Sequence, residues 1–225
     1  MQGVSDRGLG RILIMIGGAG NGIGLLLEDP GRFYPLLMQV LKRYPFICGV
    51  DLDIEEQVRL QSVQSFIEKI RGDTPKDFII TMSPVASSLM GDSPGLGGFS
   101  YKALRESVEG QMVDWFNVQY YGCFDEQTWD MIINNGLNPT ELVFVMDGDE
   151  YTTESAVSAF LRLKSFTDHP GPPLWEFGDT SAPPVTWGGA CFVVRMVKAV
   201  CDISVLTDMI HRVAWKGHEG AMGIE

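Results

Sequence analysis

The chain has 225 residues, 45% of them hydrophobic and 20% charged, with a mean hydropathy of +0.06. That composition supplies one sizeable apolar core and excludes disordered, collagen-like and coiled-coil architectures. Against 29 Asp and Glu stand 17 Lys and Arg, a formal charge of −12, which opposes binding to a phosphate backbone and sets nucleic acid aside as a partner.

No window reaches the roughly 18 unbroken apolar residues of a membrane-spanning helix, so no membrane association is expected. The first residues, MQGVSDRGLGR, lack the basic-then-apolar layout of a signal peptide, and a cytoplasmic location is expected. Cys48, Cys123, Cys191 and Cys201 are widely spaced with no CxxC pair, which reads as reduced thiols, and His169, His211 and His218 leave little material for a zinc or iron site. No metal and no cofactor are expected.

In chain order, short apolar runs predict strands over residues 11–16, 46–51, 78–82, 116–120, 142–146 and 189–194. Four segments repeat an i, i+3, i+4, i+7 apolar spacing: Leu37/Val40/Leu41/Tyr44, Val63/Phe66/Ile67/Ile70, Ala156/Ala159/Phe160/Leu163 and Leu206/Met209/Ile210/Val213. Each predicts a helix with one face on a sheet. A further helix is expected over 126–135, closed by Gly136 in a left-handed cap. The alternation is that of an α/β chain of about six βα units. No linker divides it, so residues 1–225 read as one domain. Ligands of such folds sit at the carboxyl ends of the strands, which directs attention to the Ser/Gly/Pro-rich loop at 83–98 and to the loops after Ile16, Tyr121, Met146 and Val194.

The most informative run is Cys48-Gly-Val-Asp-Leu-Asp-Ile-Glu55. Along an extended strand its period of two puts Asp51, Asp53 and Glu55 on one face and Val50, Leu52 and Ile54 on the other. Like charges about 6 to 7 Å apart, partly shielded from water, cannot all ionise cheaply, so one proton is expected to stay on the cluster. A carboxylic acid held protonated is what a general acid requires. The same acids would also serve as a solvated strand end or a cation site.

Other runs carry weaker signals. The glycines of residues 17–24 do not fit G-x-G-x-x-G, since Ile23 takes the third glycine's place, and read as a tight βα loop beside a cleft. Asp147, Asp149 and Glu150 read as a solvated turn. Trp175 and Trp187 lie in or beside the Pro-rich stretch 170–184, where a loop tryptophan either packs in the core or offers a flat face to a ligand.

The acid run resembles the DGxDxDxE motif of glycoside hydrolase family 18, the chitinases and endo-β-N-acetylglucosaminidases. Residues 12–20 (ILIMIGGAG), 80–84 (ITMSP), 116–122 (FNVQYYG) and 187–194 (WGGACFVV) resemble that family's third, fifth, sixth and eighth strands in order. The resemblance implies a (β/α) barrel of TIM type, and hydrolysis of β-1,4-linked N-acetylglucosamine, as in chitin or chito-oligosaccharides, with retention and participation of the substrate's own acetamido group. It implies Glu55 as acid and base, Asp53 and Asp51 as charge partners, and Tyr121 as a hydrogen-bond donor to the acetamido oxygen. Gln119, Met82, Gly18 and Trp187 would form the sugar subsite. The chain departs from the pattern at Cys48, in place of the motif's first Asp and so of one member of a buried acid relay. It departs again at Val85, where many members carry an acid, and at Val193, where the family places a tryptophan beneath the sugar. These departures leave open a non-hydrolytic relative: a sugar-binding or inhibitory protein, or a scaffold recruited for other chemistry. The third-strand motif near residue 12 implies that two βα units are missing, an incomplete barrel whose open edge either its own N-terminal segment or a second copy would cover, the homodimer being expected.

Overall fold

The structure, a computed structural model, describes residues 12–19, 22–122, 125–146, 174–175 and 192–196. Within them run β1 (Ile12–Gly17), α1 (Ile23–Glu28), α2 (Pro30–Arg43), β2 (Ile47–Asp53), α3 (Leu60–Asp73), β3 (Ile79–Met82), α4 (Tyr101–Arg105), β4 (Trp115–Gln119), α5 (Glu126–Asn134), β5 (Leu142–Met146), β6 (Leu174–Trp175) and β7 (Phe192–Met196). The strands form one sheet in the order β6-β5-β4-β3-β2-β1-β7, with every pairing parallel. This is the α/β architecture expected of a partial barrel.

The two faces of the sheet differ in kind. On one, Ile14, Ile16, Val50, Leu52, Ile80, Met82, Phe116 and Val118 join the helix residues Leu37, Val40, Val63, Phe66, Ile67, Ile70, Trp129 and Ile132 in a single apolar core. The other face carries Leu13 and Ile79 low down and then Asp51, Asp53, Thr81, Asn117 and Gln119, all buried. Period-two alternation along each strand is the reason: shifting any strand by one residue would exchange core and site.

Helix ends are set by local chemistry. Asp29 accepts from the Arg32 N–H at the start of α2, Ser100 from Ala103 N–H at α4, and Asp125 from Thr128 N–H at α5, each satisfying an otherwise orphaned donor. Beyond α5, Gly136 takes φ +96°, the left-handed conformation expected of it.

The edge expected to be open at β1 is filled from within the chain. β7 pairs with β1 from Ile12↔Phe192 to Ile16↔Met196, so β1 is flanked on both sides and, among the described residues, the sheet ends at β6 and β7. The helices expected over 156–163 and 206–213 lie outside the described residues. Among the described residues no helix is long and apolar enough to cross a membrane.

Candidate active site

The site is built on β2. Its lower half approaches its neighbours closely: a Cβ at Gly49 would lie 2.6 Å from the Ile79 carbonyl oxygen and 2.9 Å from Leu13 Cγ. Only glycine fits there, and the two strands it admits wall in the layer above, where Asp51 stands in register with Met15 on β1 and Thr81 on β3.

Asp51 is wholly buried and its carboxylate is ringed by donors. Oδ1 accepts from the Thr81 hydroxyl at 2.6 Å and from Asn117 Nδ2 at 2.9 Å, and Oδ2 accepts from the Ser83 hydroxyl at 2.5 Å. Burial pushes the Asp51 carboxyl above the ordinary aspartate range, and the hydrogen bonds from Ser83, Thr81 and Asn117 pull against it. The direction agrees with the proton expected of the acid row.

One layer higher, Asp53 is 3% exposed, and its Oδ1 accepts from Gln119 Nε2 at 3.0 Å; the same amide nitrogen donates to the Ser83 carbonyl at 2.6 Å. The Asp53 carbonyl accepts from Gly18 N–H at 2.9 Å. Gly17, at φ +109°, makes this approach possible, since a Cβ there would sit 1.9 Å from the Asp53 carbonyl oxygen.

The strand ends at Asp53, and Glu55 follows it into the mouth, half-buried. The residues after it tie this segment to both neighbouring loops. Glu56 Oε1 accepts from Gly22 N–H at 2.5 Å, the Gln57 amide donates to the Leu96 carbonyl at 3.0 Å, and Val58 N–H donates to the Gly97 carbonyl at 2.9 Å. Tyr121, just past β4, is 37% exposed. Tyr101, the first residue of α4, is buried against Phe99 and Phe116. Its hydroxyl is held neutral by burial first and then by the charges of Asp53, Asp51 and Glu55.

The expected residues thus divide. Asp51, Asp53 and Gln119 are joined by hydrogen bonds through Thr81, Ser83 and Asn117. Gly18 meets Asp53 through its backbone, while Glu55 and Tyr121 stand where β2 and β4 run out. Met82 is fully buried in the apolar core with Ile80, on the alternation opposite to Thr81 and Ser83. Cys48 lies at the irregularity where Ile12 pairs with Ile47 and Leu13 with Gly49, and its Sγ lies 3.4 Å from the Ile12 carbonyl. Cys48 is not among the side chains that hydrogen-bond the Asp51 carboxylate, which are Thr81, Ser83 and Asn117. Val193 stands in register with Leu13, and Leu13 with Gly49, one layer below Asp51. Trp187 lies outside the described residues. Among the described residues no group of three or more His, Cys, Asp and Glu side chains is arranged to hold a metal ion.

Thr81, Ser83 and Asn117 were not singled out in the sequence, although a signal was present. Thr81/Ser83 and Asn117/Gln119 repeat the period of two that marks Asp51/Asp53, in strands otherwise made of apolar residues.

No family model matches the chain, and no curated protein matches it by sequence. Solved structures do. A fungal endo-β-N-acetylglucosaminidase from glycosyl hydrolase family 18 superposes with a TM-score of 0.69 and 29% identity, over 76% of this chain and 65% of that one. The chitinase ChiC from Aspergillus fumigatus matches with a TM-score of 0.71 and 25% identity, over 82% of this chain and 70% of the other. A putative chitinase A from Streptomyces coelicolor shares the fold at a TM-score of 0.56 and 16% identity, over 84% of this chain and 68% of its own. The chain therefore spans just under two thirds of the endo-β-N-acetylglucosaminidase.

Proposed function

Because its fold places this chain with the glycoside hydrolases of family 18, we propose that it is a glycosidase of β-1,4-linked N-acetylglucosamine, acting on chitin or chito-oligosaccharides with retention of configuration. The observation that carries this reading is the graded row on β2, with Asp51 sealed in, Asp53 just beneath the surface and Glu55 half-open at the mouth.

In the first step the acetamido oxygen of the sugar attacks its own anomeric carbon, the glycosidic bond breaks, and Glu55 gives its proton to the departing oxygen. Asp53, held by Gln119, faces the positive charge of the resulting oxazolinium ring, and Tyr121 donates to the acetamido oxygen. In the second step water attacks the anomeric carbon, Glu55 takes the proton back, and the ring opens to regenerate the acetamide. Asp51 lies below Asp53 and shares charge or a proton with it; where ionised, it favours the proton on Glu55 before attack and the positive ring after it.

The test is incubation with chito-oligosaccharides and a chromogenic N-acetylglucosaminide beside Glu55→Gln, over a range of about pH 4 to 8. Turnover by the native chain and none by the variant is expected; equal behaviour of the two defeats the reading. Binding without turnover by both would favour the non-hydrolytic reading that Val193 motivates. A homodimer joined at a sheet edge would use β6 or β7, since β1 is already paired, and light scattering at micromolar concentration reads its mass.

A further inference from the structure

None of the three donors around Asp51 takes part in the reaction as described, and Asn117 is the one that carries an amide with two unlike ends. Its orientation is settled by a neighbour. The Trp115 indole Nε1 lies 2.9 Å from Asn117 Oδ1, and an indole N–H can only donate. The atom facing it must be the amide oxygen, so the amide nitrogen faces Asp51 Oδ1 at 2.9 Å and Thr81 Oγ1 at 3.2 Å. The Thr81 hydroxyl has one proton. It accepts from Asn117 and gives that proton to Asp51 Oδ1, 2.6 Å away, rather than to the Val50 carbonyl at 3.4 Å. A directed chain results, running Trp115 to Asn117 to Thr81 and Asp51, with every proton pointing at the carboxylate. A reversed Asn117 would set its oxygen against Asp51 Oδ1 and its amide nitrogen against the indole N–H, leaving the indole without an acceptor.

We propose that Asn117, fixed in one orientation by the Trp115 indole, is a positioning residue that keeps the Asp51 carboxylate turned onto β3 and β4 and its charge beneath Asp53 and Glu55. The proposal rests on the glycosidase reading for its consequence in turnover, and on geometry alone for its effect on Asp51. No other charged side chain from β3 or β4 meets Asp51 among the described residues: those strands offer it Thr81, Ser83 and Asn117. Of titratable groups, Asp53 and Glu55 follow Asp51 on its own strand and loop, and Tyr101 of α4 feels the charges of all three. On the side of β1, Met15 stands in register with Asp51, and Arg195 of β7 stands in register with Met15.

The sign follows. Losing a donor to the ionised form raises the titration midpoint of Asp51. Asp51 then becomes neutral at higher pH, Glu55 loses a like charge that favoured its proton, and the basic limb of the kcat profile moves to lower pH.

The experiment uses the full chain, with Asn117→Leu to delete the donor and Trp115→Phe to delete only the orienting N–H. Carbon-13 NMR of labelled aspartate carboxyls, with the Asp51 signal assigned by Asp51→Asn, reads the titration without substrate. An upward shift of about one pH unit is expected for Asn117→Leu, the usual size for a hydrogen bond to a buried charge, and a smaller shift in the same direction for Trp115→Phe. In turnover of a chromogenic chito-oligosaccharide, kcat should fall about tenfold or more with KM within about twofold, and the basic limb should move to lower pH. An unmoved Asp51 midpoint in Asn117→Leu overturns the proposal, as does a Trp115→Phe midpoint unmoved where Asn117→Leu does not fold. If the native chain turns over no substrate while the midpoints shift, the proposal stands for Asp51 and the glycosidase reading falls by itself.

Discussion

Gln119 offers the sharpest test of how the site is held, because one side-chain nitrogen makes two buried hydrogen bonds: to Asp53 Oδ1 at 3.0 Å and to the Ser83 carbonyl at 2.6 Å. Gln119→Leu keeps the volume and removes both. A hydrogen bond to a charged carboxylate contributes about 1.5 to 3 kcal/mol, and a buried carbonyl left without its donor costs about 1 to 3 kcal/mol. Part of this is recovered because Leu needs no hydration of its own, so a net loss of about 2 to 4 kcal/mol is expected. For a chain of this size each kcal/mol lowers Tm by about 2 to 4 °C, a drop of about 4 to 16 °C. Without the Gln119 donor Asp53 is aimed less well at the developing positive charge, and kcat falls by about 10- to 100-fold with little change in KM. Urea unfolding and steady-state kinetics on a chromogenic chito-oligosaccharide read the two effects. Unfolding within about 0.5 kcal/mol of native together with undiminished kcat would refute the idea that Gln119 holds Asp53.

Three further outcomes follow from the same geometry. Gly17→Ala forces a Cβ to within 1.9 Å of the Asp53 carbonyl oxygen at φ +109°, so a loss of about 3 kcal/mol or more in urea unfolding is expected, and a native-like midpoint would contradict the placement of β1 against β2. Cys48→Ser is expected to leave the pH profile of kcat unchanged, because Cys48 bonds toward Ile12 and is not among the side chains that hydrogen-bond Asp51; a shifted profile would return Cys48 to the acid row. Asp51 titrates higher in the folded chain than unfolded, so the folded state binds its proton more tightly and the cost of burying the charge is felt as pH rises through that raised value. Asp51→Asn should therefore flatten the fall in stability between acid and neutral pH, measured by urea unfolding at several pH values, and an unaltered pH dependence would show that Asp51 titrates normally.

Much of the fold is legible in the residues, for a reason visible strand by strand. β1 to β5 are apolar runs bounded by turn residues, and the expected segments coincide with Ile12–Gly17, Ile47–Asp53, Ile79–Met82, Trp115–Gln119 and Leu142–Met146 to within a residue or two. The eighth-strand motif, expected over 189–194, forms its strand at Phe192–Met196, slightly later. The short elements carried no pattern: α4 is five residues long and α1 six, too short for an i, i+3, i+4, i+7 repeat, and β6 is two residues within a Pro-rich stretch. The pairing of β7 with β1 was equally hidden, because apolar alternation says that a strand is buried and not which neighbour it takes. At the site, the alternation that puts Asp51 and Asp53 on the polar face of β2 runs equally through β3 and β4, where it sets Thr81, Ser83 and Asn117 against them and Met82 in the core with Ile80.

The central claim is a retaining glycosidase with Glu55 as its acid and base. Proton NMR of the anomeric signals in the first minutes of chito-oligosaccharide hydrolysis tests it most directly, with Glu55→Gln run alongside. The β-anomer appearing first, at a rate that falls by about 100-fold or more in Glu55→Gln, is the predicted result. The α-anomer appearing first, or an undiminished rate without the Glu55 carboxyl, would contradict it.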